Sequence, residues 1–534
     1  MLKRHIFFLA LSLSSLGALA QSDFLVSGQP IKNGAANGIG NFAAPSLTGI
    51  VMGTAKVNDD DYPDLFVQSD IRAPGTYLYH FKKLTEKGEP VFSQGIKLTL
   101  PFEDTGENKG IILQNPNQEI FGFWRFGGKL LKKANFNPKN NSFEGVGNIT
   151  INGLPWGMST FGVVRTLQGK YLFLFTVPKP STENVKMKVD SAYYTPEGYW
   201  PNPLSEVGIY GAVANDLENL TKLEAKPLTE LDQAYFGISG YTSFQLNDKE
   251  QYVLCGTRMG NIHACQIVGE QLFPNKYVVD QKHILRRSPT VNAFPAYFKI
   301  EGKTEGVFIS GEGGIVYYPN TKQKDKQGNL IFEDAISVKQ ENPLLYGGSL
   351  VVPSLADWDG DGLPDIIYNS ILGKVEWLKN IGTRTSPRLT KSQPIEVDWQ
   401  GPAPKPAWNW WNPTEKQLVT QWRTTPFVFD MNQDGMPDLC MLDTEGYFVL
   451  FERSIKGGKR ILLPPTRVFC DPAGKPLRFN DRIAGASGRR KIALIDWNGD
   501  GQTDLLLNSS NADLYLGIGK KEGKWLFEKK GTLA

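Results

Sequence analysis

Three segments of this chain carry oxygen-bearing side chains at one fixed spacing: Asp357-Trp-Asp-Gly-Asp-Gly-Leu-Pro-Asp365, Asp430-Met-Asn-Gln-Asp-Gly-Met-Pro-Asp438 and Asp496-Trp-Asn-Gly-Asp-Gly-Gln-Thr-Asp504. Asp or Asn at positions 1, 3 and 5, Gly at 6 and Asp at 9 is the ligand spacing of a calcium loop. Ca²⁺ takes six to eight oxygens, alternate side chains of a tight loop converge on one point, and the Gly permits the sharp turn. The expected ligands are Asp357, Asp359, Asp361 and Asp365, then Asp430, Asn432, Asp434 and Asp438, then Asp496, Asn498, Asp500 and Asp504, with the position-7 carbonyl of Leu363, Met436 or Gln502 adding another oxygen. A solvated turn also explains acidic residues, but it does not demand four oxygen donors at one spacing three times. A fourth, degenerate copy spans Lys56 to Asp64, with Lys56 for the opening Asp and Asp61 for the Gly. Its ammonium predicts weak calcium binding or none at Asn58, Asp60 and Asp64.

A second group of residues points to recognition. Trp408, Trp410, Trp411, Trp422 and Arg423 crowd one connection, Arg489 and Arg490 another, and His283, Arg286 and Arg287 a third; Tyr235 and Trp156 lie in two more. Aromatic rings stack on the apolar faces of sugars, and the Arg fork grips carboxylate or sulfate in a bidentate manner. An anionic glycan is therefore the expected ligand, although such Trp and Arg residues also pack between repeats and pair with neighbouring acids. For catalysis, a lyase acting on uronic acids needs a carboxylate neutraliser and a base. His283 beside Arg286 and Arg287 is the first candidate base and Tyr235 the second, whereas His263 and His80 fall in or at the end of strands and read as structural. A hydrolase would need two carboxylates across a cleft; Glu197, Glu230, Asp232, Glu341 and Glu415 leave that option open. No serine elbow, phosphate loop or dinucleotide fingerprint occurs in a matching context.

The elements that must position these residues are strands. Each acidic loop is preceded by an apolar run (SLVVPSLA, TTPFVF, RKIALI), followed by another (IIYN, LCML, LLLN), and then by a turn and a third strand such as GKVEWLKN or GYFVLFER. The same hairpin without the acidic loop recurs at EIFGFWRFGGKLLKK, YLFLFTV, YVLCGTRMGNIHAC and VFISGEGGIVYY. Eight hairpins at roughly 50 to 80 residue spacing predict an all-β fold, a β-propeller of four-stranded antiparallel blades, with eight blades favoured and seven the alternative. In such a meander the acidic loops are turns between first and second strands and share one face. The Trp- and Arg-bearing connections then share the opposite face.

Composition bounds the rest. With 534 residues, 40% hydrophobic, 21% charged and 55 Gly, the chain can bury a large core, which excludes wholesale disorder, collagen and a disulfide-stapled mini-protein. Residues 1–20 read as a signal peptide: Lys3, Arg4 and His5, an apolar stretch from Ile6 to Ala18, and a small-residue cleavage point at Ala20. A secreted or periplasmic protein is expected, with residues 21–534 forming one propeller domain and the repeats clearest at 347–380, 421–453 and 488–518 and degenerate at 46–82. Removing the leader leaves the chain nearly neutral, so no nucleic-acid partner is expected, and no later apolar run is long enough for a transmembrane segment. Cys255 and Cys265, placed about Gly260, face each other as a disulfide or remain thiols; Cys440 and Cys470 read as buried thiols.

The loops and their flanking strands resemble the FG-GAP or VCBS repeat family, the calcium-loop propellers of integrin α-chains and many secreted bacterial proteins. The resemblance implies a propeller with structural Ca²⁺ in those loops. It implies no single activity, since similar propellers serve adhesion, carbohydrate binding and polysaccharide lyase or glycosidase chemistry. Together these readings predict a protein that binds, and cleaves if it is an enzyme, an acidic extracellular polysaccharide, with a non-enzymatic adhesion or scaffold module as the alternative.

Overall fold

The computed structural model describes residues 32–33, 47, 49–69, 75–104, 108–178, 206–229, 237–258, 260–288, 292–311, 314–341, 351–370, 373–390, 392–404, 413–414, 416–421, 423–481, 490–508 and 512–533. Every regular element among them is a strand. The proposed signal peptide lies outside the described residues.

Apolar residues on both faces of a strand require a cover on both sides, and the central strands here have it. Asp64–Ser69 and Gly75–Tyr79 are buried at every position. They belong to sheet 1, an antiparallel meander of Ile50–Ala55, Asp64–Ser69, Gly75–Tyr79 and Ile96–Lys97. Sheet 2 begins with Gly110–Gln114, Ile120–Arg125, Leu130–Asn137 and Ser142–Asn152. Sheet 3 holds Thr160–Arg165, Tyr171–Pro178, Glu206–Ala214 and Lys226–Thr229, and sheet 4 holds Ile238–Asn247, Glu250–Thr257, Ile262–Val268 and Gln271–Val279. Sheet 5 is built on Phe294–Ile300, Thr304–Gly311 and Gly314–Lys324, and Leu330–Phe332 joins its outer edge to that of sheet 4.

The first strands of these five sheets are neighbours in a closed circle. Ile50–Ala55 lies beside Gly110–Gln114, then Thr160–Arg165, Ile238–Asn247 and Phe294–Ile300 follow, and the last returns to Ile50–Ala55. The closure is made of hydrogen bonds and core. Thr54 Oγ1 donates to the Tyr297 carbonyl and the Val51 N–H donates to Ser310 Oγ, each at 2.9 Å, and Val51, Leu65 and Tyr79 share a cluster with Phe298, Phe308 and Tyr317. Close approach needs glycine at Gly53, where a Cβ would stand 2.6 Å from the Ile112 carbonyl oxygen of sheet 2.

Three further sheets carry the acidic loops. Sheet 6 comprises Pro353–Ala356, Asp365–Asn369, Val375–Leu378 and Gln393–Pro394. Sheet 7 comprises Phe427–Phe429, Asp438–Leu442 and Phe448–Phe451, followed by the hairpin Arg453–Lys456 and Lys459–Leu462. Sheet 8 runs from Ile492–Ile495 through Asp504–Asn508 and Ala512–Lys521 to Lys524–Leu533. One cluster joins sheets 6 and 7 and another joins sheets 7 and 8. No cluster among the described residues contains side chains from both sheets 1–5 and sheets 6–8.

The expected single ring of eight is thereby corrected. It would set sheet 8 against sheet 1, whereas sheet 5 takes that place through Tyr297 and Ser310. The propeller architecture stands; the repeat count did not say where the circle closes. The cysteine pairing is also corrected. Cys255 opposes His263 and Val253 opposes Cys265, because the turn centres one residue earlier than Gly260, and all four cysteines are buried free thiols.

Candidate functional site

Each acidic loop folds on its own side chains. In the loop of sheet 6, Asp357 accepts the N–H groups of Gly360 at 2.7 Å and Gly362 at 2.9 Å, and the carboxylates of Asp357, Asp359 and Asp361 converge to within 4.8 Å. Asp430 and Asp496 take the same role, receiving Gly435 and Gly501 N–H at 2.9 Å. The position-6 residue is left-handed in all four copies, Asp61 of the degenerate one included. The position-9 carboxylate is fully buried and ties three chain segments together. Asp365 accepts from Trp358 and Asn380 N–H, Asp438 from Met431 and Arg453, and Asp504 from Trp497 and Gly517, at 2.7 to 3.0 Å. In the degenerate copy Asp64 accepts Phe81 N–H and is joined to His80 Nδ1, while Lys56 pairs with Asp61 at the surface.

The donor chemistry of these loops, hard oxygens from carboxylates and carboxamides, fits Ca²⁺. Burial pushes the Asp365 and Asp438 carboxyls up, and neighbouring acids add to it, Asp359 and Asp361 in one case and Asp434 and Glu452 in the other. A cation in the loop would oppose both effects. The three loops differ, however, at the residue just before the one whose N–H the position-9 carboxylate accepts from the third strand or just past it. In sheet 6 it is Lys379, whose ammonium pairs with both Asp359 and Asp361. In sheet 7 it is Glu452, which accepts from Asn432 Nδ2 at 3.3 Å, and in sheet 8 it is the apolar Leu516. Lys379 thus already supplies a positive charge to the first loop and holds the Asp361 carboxyl below its ordinary range. Aligning the third strands, LKN against FER and YLG, carried this signal in the sequence.

Those recognition residues that the structure describes fall in two different units. Trp408, Trp410, Trp411, Trp422, Arg489 and Tyr235 lie outside the described residues. His283 occupies a left-handed turn at the edge of sheet 4, where Nδ1 meets Asp325 Oδ2 at 3.0 Å. Arg286 is spent on structure: it donates twice to the Phe332 carbonyl, pairs with Asp334 at 2.9 Å and lies over the Tyr318 ring. Arg287 and Arg423 are buried, and Arg490 donates from Nε to the Phe479 carbonyl at 3.0 Å. The shared rim assumed one ring; closure after sheet 5 places Arg286 and Arg287 in a different unit from Arg423 and Arg490. His263 is structural as expected, its ring pushed down to about 3 by burial and then by Arg287.

A cleft that sequence reasoning missed lies between sheet 6 and the Arg453–Leu462 hairpin of sheet 7, with a volume of about 680 Å³. That size suits a small ligand or a few sugar rings. Trp377 and Ile455 form apolar walls, Ile455 being 62% exposed. Arg453 is buried beside Trp358: its guanidinium lies 3.9 Å from the ring centroid, Nη2 donates to the Trp358 carbonyl at 2.7 Å, and its Nε–H has no acceptor. Burial and the neighbouring Arg460 push it down to about 10. Arg460, Lys416 and Lys459 also line the cleft. Of its three acids, Asp359 is answered from outside by Lys379 and Asp398 by Lys456 at 2.8 Å, which leaves Glu396 against the four cations of the lining. The cleft therefore carries surplus positive charge beside an aromatic wall. Gly360 makes room for it, since a Cβ there would stand 2.2 Å from Arg460 Nη2. Trp358 and Asp359 belong to the acidic loop itself, so this cleft is on the loop side and not on the opposite face.

No protein-family model matches the chain, and no curated protein sequence does. Among solved structures, the chain is similar to a GH43 β-1,3-galactosidase solved with galactodeoxynojirimycin, at 9% identity and a TM-score of 0.34, over 58% of this chain and 99% of that one. It is also similar to the xylan β-1,4-xylosidase from Bacillus halodurans C-125, at 11% identity and a TM-score of 0.36, over 91% of this chain and 90% of that one. Likeness this distant says nothing about the chemistry of this chain.

Proposed function

We propose that this is an exported protein in which a five-bladed propeller precedes a three-sheet, calcium-clipped unit, and that it binds an acidic extracellular polysaccharide with a sugar-acid unit seated in the cleft between sheets 6 and 7. The observation that carries this reading is the pair Arg453 and Arg460 beside Trp377. One guanidinium is buried with an Nε–H that has no acceptor, the other has no carboxylate partner among the described residues, and the Trp377 ring lines the same cleft. Two cations in a partly desolvated cleft repel each other, and a carboxylate relieves that repulsion while filling the open donor. A sugar face against Trp377 adds apolar burial.

The cleft reads as a binding site. His283, the first candidate base, is held by Asp325 at the edge of sheet 4, and Tyr235 lies outside the described residues. Ca²⁺ in the loops of sheets 7 and 8 would act as a structural clip, with Asp430, Asp434, Asp496 and Asp500 as its carboxylate donors. A panel of uronate-bearing polysaccharides and their neutral counterparts tests the reading, with both retained protein and ultraviolet absorbance of an unsaturated product recorded. Binding restricted to the acidic members supports it, and equal binding to neutral glycans, or binding to none, contradicts it. Product formation would extend the assignment to a lyase.

A further inference from the structure

A second set of cations sits at the inner mouth of the five-sheet circle, in a different unit from the cleft. Lys109 immediately precedes the first strand of sheet 2, and Arg125 ends the second; the Arg125 N–H donates to the Lys109 carbonyl at 3.2 Å, so the two are cross-strand neighbours. The Lys109 ammonium stands 4.4 Å from the ring centroid of Phe294, at the start of sheet 5. Sheets 2 and 5 are not neighbours, since sheet 1 stands between them, and the contact therefore spans the inner side of the circle.

Neither cation pairs with a carboxylate among the described residues. Among the described residues the Lys109 ammonium makes no hydrogen bond or ion pair, and the Arg125 guanidinium gives only a long bond from Nη1 to the Met158 carbonyl at 3.5 Å. The nearby acid, Asp104, is joined to Thr76 Oγ1 at 2.8 Å and to Gln68 Nε2 at 3.5 Å, and no ion pair links it to Lys109 or Arg125. Arg258, on the turn between the second and third strands of sheet 4, adds an exposed cation at the same end. Burial, with Arg125 adding to it, pushes Lys109 down to about 8. Two like charges held side by side in a partly dry site, with no carboxylate paired to either among the described residues, are costly unless an anion joins them.

We propose that the mouth of the five-sheet circle is a second ligand site, in which Lys109 and Arg125 together hold the carboxylate or sulfate of a small acidic saccharide. Arg125 contributes the planar fork and Lys109 a point charge. The site does not depend on the cleft between sheets 6 and 7.

Competitive acylation of the full chain tests it, with glucuronate and inorganic sulfate as probes and mass spectrometry reading the modification of each lysine. An unpaired, low-pKa Lys109 should label faster than the surface lysines at pH 8, and saturating glucuronate should slow its labelling at least tenfold. The labelling midpoint should also move up by a unit or more. The effect should persist in Arg460→Ala, which disables the cleft, and protection by glucuronate should vanish in Arg125→Met. Protection by sulfate alone would place a free oxyanion there and overturn the saccharide assignment. Labelling unchanged by either probe, or protection lost in Arg460→Ala, would overturn the site.

Discussion

Single residues set the charge that each acidic loop meets. Lys379, Glu452 and Leu516 each precede the residue whose N–H the position-9 carboxylate accepts, and the first offers an ammonium to Asp359 and Asp361 where the second offers another carboxylate. Calorimetric titration of the chelated protein should therefore give two calcium sites, and Lys379→Met should add a third; an unchanged stoichiometry would contradict the role given to Lys379. A second residue sets the acid limit of stability. His263 is fully buried and its folded-state pKa is depressed to about 3, so between its ordinary value near 6.5 and about 3 the unfolded chain binds a proton that the folded chain refuses. Stability is fully present above pH 6.5 and falls as pH drops through this window, by on the order of 5 kcal/mol for the whole shift. His263→Phe should flatten the decline in urea midpoint from pH 6.5 to 4, and an unaltered slope would show that other groups govern it. The loop spacing, the left-handed sixth position and the structural character of His263 were all legible in the sequence. Lys379 was not read, because its pairing with the loop crosses from the third strand and local spacing does not show it.

At the scale of the element, the repeated unit is a hairpin locked by one buried carboxylate. Asp365, Asp438 and Asp504 each bind an N–H from the loop and an N–H from the third strand or just past it, so the loop's last residue fastens the strands as well as lying beside the proposed metal donors. Asp438→Ala removes the acceptor for two buried N–H groups and should lower stability by about 2 to 5 kcal/mol with or without calcium. Asp434→Ala, at an exposed donor, should cost stability only when calcium is present. Equal losses for the two variants under chelation would contradict this division of labour. Strand order within each unit followed from the apolar runs, but the Arg453–Leu462 hairpin did not. It replaces an outer strand with a projecting pair, and the cleft exists because that pair stands off from Gln393–Pro394 of sheet 6.

For the whole molecule, repeat counting gave the number of sheets and misjudged their grouping. What closes the circle after sheet 5 is a handful of contacts distant in sequence, Thr54 with Tyr297 and Val51 with Ser310, and periodicity carries no record of them. Residues 47–341 should consequently fold as a cooperative unit when expressed alone, checked by a single sharp thermal transition; a shorter piece ending before Phe294 should not, since it leaves Val51, Leu65 and Tyr79 without their partners. The near-neutral net charge conceals two local surpluses of positive charge, one at the mouth of the circle and one between sheets 6 and 7. The claim that the second of these receives a sugar acid is tested most directly by calorimetric titration of the wild-type chain, Arg460→Ala and Trp377→Ala with an oligogalacturonate. Each variant should bind at least tenfold more weakly, a loss of about 1.4 kcal/mol or more, with its melting temperature within a few degrees of the parent. Unchanged affinity in both variants would contradict the account.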